Sequence, residues 1–321
     1  MDDFAYQALR ESAAVIDLTG RGHIQATGDD RARLLHAMTT NHVEGLAPGQ
    51  SCYALFLSAQ GRILSDVNII CTASSLLLDT EPEAAQALYL HLDKYIIADD
   101  VTLANLTANV AVIGLEGPQS PAVLERMGID IPAAGHWCEW RTWVVAALSA
   151  SGERGFRFFV PAPDREEVLG WIAGAGAVKA SRLEWDTVRL EHGLARYAED
   201  VTEREIPHET GLIDRAVSFK KGCYVGQEIV ERVRSRGHAN RILTHLRIEG
   251  EKAPPPKTKL IAGDKEAGEI TSAAFSPANG CVFALAYVRS QTIQPGVKYG
   301  LEGGGEAALE IAAAATERRS S

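Results

Sequence analysis

EGEKAPPPKTKLIAGDKEAGEITSAAFSPANGCVFALAYV, residues 249–288, belongs to the part of the chain, from 242 onward, where its character changes. Three consecutive prolines, Pro254 to Pro256, bar both a helix and a central strand there. The runs that follow, KLIAG (259–263), GEITSAAF (268–275) and GCVFALAYV (280–288), are short and separated by Gly, Asn and Pro. Strands of that length at that spacing predict a small C-terminal β-barrel. AALEIAAAATERRSS, from 307 onward, reads as a last strand with a frayed tail.

Upstream the pattern is mixed. HIQATG (23–28) alternates like a strand, and GDDRARLLHAM reads as a helix capped by Asp29 or Asp30. SCYALFLS and RILSDVNIICT form a hairpin through AQGR, with Gly61 at the tight position, and LLLDT is a further strand. EPEAAQALYLHLDKYII is a helix with Pro82 near its start, and NVAVIGLEG a strand feeding a helix closed by Gly128. WRTWVVAALS pairs with RGFRFFVPA, and REEVLGWIAGAGA and WDTVRLEHGL are helical. The reading is a multidomain α+β protein, divided as 1–110, 111–240 and 241–321, with the first two regions free to interleave and the hinge at 238–258 the sharpest boundary.

Composition narrows the function classes. No apolar run approaches the roughly 18 residues of a membrane span. The start, MDDFAYQALRESAAV, is acidic and amphipathic, unlike a secretory signal or an Arg-rich transit peptide, so a cytoplasmic protein without a membrane partner is expected. A net charge of −10 disfavours direct nucleic-acid binding. Five cysteines with no CxxC pair argue against a disulfide framework and a free-standing zinc site, so no metal is expected. Residues 184–214 carry nine acidic side chains against three arginines, and 215–241 seven basic against two acidic, which suits two facing walls of a cleft or two separate solvated faces.

Three residues carry candidate chemistry. Asp66 shares a strand face with Leu64 and Asn68, where a carboxylate either polarises an amine-bearing ligand or sits exposed. Glu191, at the end of a helical stretch, either takes two N–H groups of a flat heterocycle or forms a surface salt bridge with Arg189 or Arg196. Cys223, set between glycines just before a helix, is either a thiol activated by the helix dipole and Lys220–Lys221 or a small residue in a tight turn. A Cys–His pairing with His208 or His238 has no spacing to support it. Arg232, Arg234 and Arg236 either hold an anion or form a solvated helical face.

KKGCYVGQE (220–228), with RGHANR (236–241) after it, resembles the signature of YgfZ-type folate-binding proteins, relatives of the glycine-cleavage T-protein that support iron–sulfur cluster assembly and repair. AQGRILSDVNI, RLEHG and GEITSAAFSP with ALAYV are similar to T-protein segments in the same order. The resemblance implies a three-domain ring around tetrahydrofolate. By motif match, Asp66 lies near its reactive nitrogens, Glu191 on its pterin edge, and Asp66 and Cys223 carry any chemistry. The motif residues are Lys221, Gly222, Cys223, Tyr224, Gly226, Gln227 and Glu228. The resemblance further implies iron–sulfur client or assembly proteins as partners, tRNA-thiolating enzymes among the clients, or else an aminomethyl transferase of the T-protein type.

Overall fold

A computed structural model describes residues 1–310. The chain opens with α1 (Asp3–Glu11) and β1 (Ala14–Asp17), followed by β2 (Gly22–Thr27), α2 (Arg31–Met38), β3 (Ser51–Leu57), β4 (Ile63–Cys71), β5 (Leu76–Thr80), α3 (Pro82–Asp93) and β6 (Thr102–Asn105). Then come β7 (Val110–Glu116), α4 (Ser120–Arg126), β8 (Trp137–Trp140), β9 (Trp143–Ala146), β10 (Gly155–Pro161), α5 (Arg165–Gly174), β11 (Val178–Ala180) and α6 (Arg182–Glu191). Two further helices, α7 (Ile213–Ala216) and α8 (Gln227–Arg236), lead into the last strands. These are β12 (Arg241–Glu249), β13 (Lys259–Ala262), β14 (Lys265–Ser276), β15 (Cys281–Arg289), β16 (Lys298–Leu301) and β17 (Glu306–Leu309). The rest of the expected terminal strand and tail, 311–321, lies outside the described residues.

The last six strands close into a barrel in the order β12-β15-β14-β13-β16-β17. Closure removes both sheet edges, and Leu246, Ile270, Val282, Ala284 and Tyr299 fill the interior. The expected C-terminal barrel is therefore present, and the protein is α+β.

The preceding residues form two sheets, ordered β3-β4-β5-β2-β6 and β11-β1-β7-β10-β9-β8. The chain's first strand thus belongs to the sheet completed by 110–180, pairing β7 antiparallel and β11 parallel. Helices α2 and α3 cover the first sheet through Leu34, Leu35, Met38, Leu88 and Leu92. Helices α4 and α5 cover the second, where Phe156 and Phe158 are fully buried, each contributing about 2–3 kcal/mol of hydrophobic stabilisation. The uncovered faces of the sheets meet through Ile70, Leu77, Val112, Ala146 and Phe159. Both faces of β5 are consequently buried, which is why LLLDT reads as a continuous apolar run rather than an alternating one.

Local signals carry most of this architecture. Gly61 takes φ +71° in the β3–β4 turn, and a Cβ there would stand 2.8 Å from Ile229 of α8. Asp30 occupies the N-cap position of α2 but makes no side-chain cap; its carboxylate accepts from the Asp100 N–H at 2.9 Å instead. Strand β8 has no counterpart in the sequence reading: WCEW lacks β-branched residues, and its place is set by pairing with β9. Among the described residues, no helix is long and apolar enough to cross a membrane.

Candidate functional site

Asp66 stands where the layer between the two sheets turns polar. Pairing of β3 with β4 runs Phe56 to Ser65 and then Leu57 to Ile63, so Leu64 is a bulged residue. The bulge turns Leu64 into the core of Val67 and Ile69, correcting the expectation that it shares a face with Asp66. Asn68 does share that face, and both line a pocket with Arg21, Tyr53, Glu81, Arg157 and Arg215. The space between these side chains is about 50 Å³.

Tyr53 lies diagonal to Asp66 across the ladder, and its hydroxyl donates to Asp66 Oδ2 at 2.9 Å. Asp66 Oδ1 is shielded from solvent and has no hydrogen-bond partner. Burial, with the negative charge of Glu81 nearby, pushes the Asp66 carboxyl above its usual range, against the opposing pull of Arg21 and the Tyr53 hydrogen bond. The result is a carboxyl held on one oxygen and free on the other. Arg215 also lines the pocket, its guanidinium 4.1 Å from the centre of the Tyr53 ring.

Behind the pocket lies a charge network absent from the sequence reading. Asp79, fully buried on β5, accepts from Arg21 at 2.7 Å and Asn68 at 3.0 Å and pairs with Arg157 from the second sheet. Burial alone would raise its pKa, but the two guanidinium groups outweigh burial and hold it at about 2. Glu81 joins Arg21 to Arg196, which lies 2.8 Å from it and 2.9 Å from Glu83. A single aspartate inside an otherwise apolar strand was the signal that could have flagged this centre.

Glu191 lies outside the pocket. Arg189 and Glu191 are two residues apart on α6, about 200° around the helix, so they face opposite ways. Arg189 turns inward, pairing with Asp200 at 2.7 Å, and Asp200 accepts from Thr271 of the barrel at 2.5 Å. Glu191 pairs with Arg10 and accepts from the Tyr6 hydroxyl, tying α6 to α1. The salt-bridge partners suggested for it, Arg189 and Arg196, are engaged elsewhere. Glu191→Ala should therefore cost about 2 kcal/mol of stability, the scale of a buried charged hydrogen bond, measurable as a lower urea midpoint.

The KKGCYVGQE segment packs on the end of α2. Lys221 donates to the carbonyls of His36 and Thr39 there, and its burial lowers its pKa to about 8. Val225 N–H bonds Ala37 O at 3.1 Å, and Tyr224 is buried beneath Lys221. Gly226 takes φ +84°, where a Cβ would lie 2.6 Å from Ser58 O. Glu228 is exposed and pairs with Arg232 at 2.7 Å. Cys223 is exposed, and it is not among the side chains lining the Asp66 pocket. Asp66 and Cys223 are therefore not brought together in one pocket, because the motif seats itself on α2 rather than over β4. Helix α8 starts at Gln227, and the Lys221 ammonium is committed to α2 carbonyls rather than to the thiol. Arg232, Arg234 and Arg236 are exposed on α8, where Arg234 pairs with Glu231 at 3.5 Å. Among the described residues, no group of three or more His, Cys, Asp or Glu is arranged to hold a metal ion.

Residues 5–221 match the GCVT N-terminal domain, and 241–316 match the glycine cleavage T-protein C-terminal barrel domain. The chain is 29% identical to an aminomethyltransferase of Streptomyces coelicolor, covering 91% of this chain and 82% of that protein. It is 26% identical to a putative chloroplastic transferase of Arabidopsis thaliana, over 92% and 69% of the two chains. The crystal structure of the glycine cleavage system aminomethyltransferase T from Bartonella henselae superposes with a TM-score of 0.88 at 21% identity, covering 96% of this chain and 88% of that one.

Proposed function

Since the chain belongs to the glycine cleavage T-protein family, we propose that it binds that family's cofactor, tetrahydrofolate, beside Asp66 and serves as an accessory protein for assembly or repair of iron–sulfur clusters in client enzymes, tRNA-thiolating enzymes included. The observation that carries the accessory role is the mounting of Cys223. Lys221, Val225 and Gly226 are engaged by α2 or the β3–β4 turn and Tyr224 is buried, so the segment is anchored on both sides of Cys223 while the thiol itself is exposed. Chemistry confined to the Asp66 pocket needs no such presentation; recognition by a client or assembly protein does.

The pocket's residues fit the cofactor by their donor set. The free Asp66 Oδ1 is a buried acceptor awaiting an N–H, and the pterin ring of a folate is edged with N–H groups. Tetrahydrofolate, when bound, supplies amine nitrogens able to carry a one-carbon unit. Tyr53 fixes the carboxyl by holding Oδ2, so Oδ1 keeps one orientation. The raised pKa of Asp66 suits it to take a proton on Oδ1 or to offset positive charge developing on an amine. With only about 50 Å³ between the side chains, binding requires the lining to move apart, and Arg215, exposed on the Tyr53 ring, is a lining side chain free to do so. Calorimetric titration with tetrahydrofolate should give saturable binding; none would end this reading of the pocket.

In a strain lacking the gene, wild type should restore the activity of cluster-dependent enzymes and Cys223→Ala should not. The same variant should bind tetrahydrofolate with unchanged affinity and melt at the wild-type temperature, since Cys223 lines no cavity with Asp66 and packs in no core. Full rescue by Cys223→Ala would refute the accessory role of the thiol.

A second reading, aminomethyl transfer, is favoured by the free Asp66 Oδ1, a group placed to stabilise charge on an amine nitrogen. Its mark would be folate-dependent ammonia release from an aminomethyl-lipoyl carrier that persists in Cys223→Ala.

A further inference from the structure

A cavity of about 770 Å³ lies apart from the Asp66 pocket and shares no side chain with it. It opens between the β3–β4 turn, the 204–209 loop, the start of β12 and the end of β15, so the N-terminal sheets and the barrel both wall it. Four arginines line it, Arg62, Arg204, Arg241 and Arg289, with His238 beside them and a single carboxylate, Glu209. In a chain of net charge −10 this is a concentration of positive charge against the overall composition.

The acidic side is already engaged. Arg241 lies 2.7 Å from Glu205 and 3.5 Å from Glu209, and Arg62 reaches Glu209 only at 4.0 Å. Arg204 and Arg289 make no ion pair among the described residues and are exposed. The RGHANR stretch, to which the Asp66 pocket assigns nothing, supplies His238, Asn240 and Arg241 to this wall. That wall is held in place: Ser290 N–H bonds Asn240 O at 2.9 Å, and the Ser290 hydroxyl donates to Ala239 O at 2.5 Å.

We propose that this cavity is a binding site for a compact, multiply charged oxyanion, a diphosphate or an oligocarboxylate, gripped by Arg62, Arg204 and Arg289 across the junction between the N-terminal sheets and the barrel. Guanidinium forks match the paired oxygens of phosphate and carboxylate, and the volume falls within the ~300–1,000 Å³ of small-molecule sites. Arg204 and Arg289 have no carboxylate partner among the described residues, and a bound anion supplies the missing counter-charge. Because the site draws on both halves of the molecule, its occupancy also ties the barrel to the sheets.

The test is calorimetric titration at low ionic strength with pyrophosphate and, separately, citrate, on wild type and on the double variant Arg204→Gln/Arg289→Gln. Both side chains are exposed, so the variant should fold; Arg62→Gln is the second variant if it does not. Expected is saturable binding of at least one anion to wild type, weakened tenfold or more in the variant, with tetrahydrofolate affinity unchanged. Pyrophosphate alone assigns a phosphate ligand, citrate alone a carboxylate one, and both together the shared chemistry. Failure of both anions to saturate wild type, or equal binding by the variants, overturns the site and leaves the Asp66 reading untouched.

Discussion

Asp79→Ala is expected to destabilise the protein by about 3–5 kcal/mol, the loss typical of removing one partner from a buried ion pair. The reason lies in what remains. Arg157 is almost wholly buried, and Asp79 is its ion-pair partner across the sheet interface. Arg21 keeps Glu81, but loses its contacts with Asp79 at 2.7 and 3.3 Å. The same carboxylate sets a pH dependence. Its pKa is about 2 in the folded state against an ordinary 3.8, so folding holds it in the charged form. Its contribution, about 2–3 kcal/mol, is fully present above about pH 4 and is lost as pH falls through about 2. Urea denaturation at pH 7 and at pH 3 should show that loss beginning in wild type and missing from Asp79→Ala. Equal midpoints for both proteins at pH 7 would show that the network does not brace the two sheets.

Asp66→Asn should separate binding from stability. The substitution keeps the shape but replaces an ionisable acceptor by an amide, removing the charge-assisted hydrogen bond proposed between Asp66 and the cofactor's N–H groups. Such bonds contribute about 1.5–3 kcal/mol, so tetrahydrofolate affinity should fall roughly 10- to 100-fold. If the protein also transfers aminomethyl groups, turnover should fall about 10²–10³-fold, the effect of losing one charge-stabilising group at a reacting centre. Thermal stability should hold or rise, because a buried carboxyl with one orphaned oxygen and a raised pKa is a cost to the folded state. A variant that binds the cofactor as wild type does would remove Asp66 from the site.

Much of the fold was legible because its signals are local. Gly61 and Gly226 mark left-handed turns, Pro82 opens a helix, and the proline run before 257 breaks the chain between the first two strands of the barrel. Asp66 was legible as a carboxylate on a strand beside Asn68. Its neighbourhood was not: the bulge at Leu64 shifts the face count, and no composition rule announces a bulge. Glu191 and Arg189 were weighed as a possible pair, and helix geometry sends them to opposite sides. For Cys223, the glycines suggested a turn and the lysines an activated thiol; the structure uses Lys221 to seat the turn and leaves the thiol outside.

The sequence by itself determined most of the strands and helices, the barrel and the family, because periodicity, turn chemistry and motif order act over a few residues at a time. Only the tertiary structure decided which charges meet. Arg21, Asp79 and Arg157 lie 58 and 78 positions apart, and they converge because two sheets pack face to face and exclude water between them. Four arginines from distant segments become one cavity wall because the barrel packs beside the β3–β4 turn and the 204–209 segment. Burial turns an ordinary carboxylate or guanidinium into one that needs a specific partner, and burial is a property of packing rather than of the local chain.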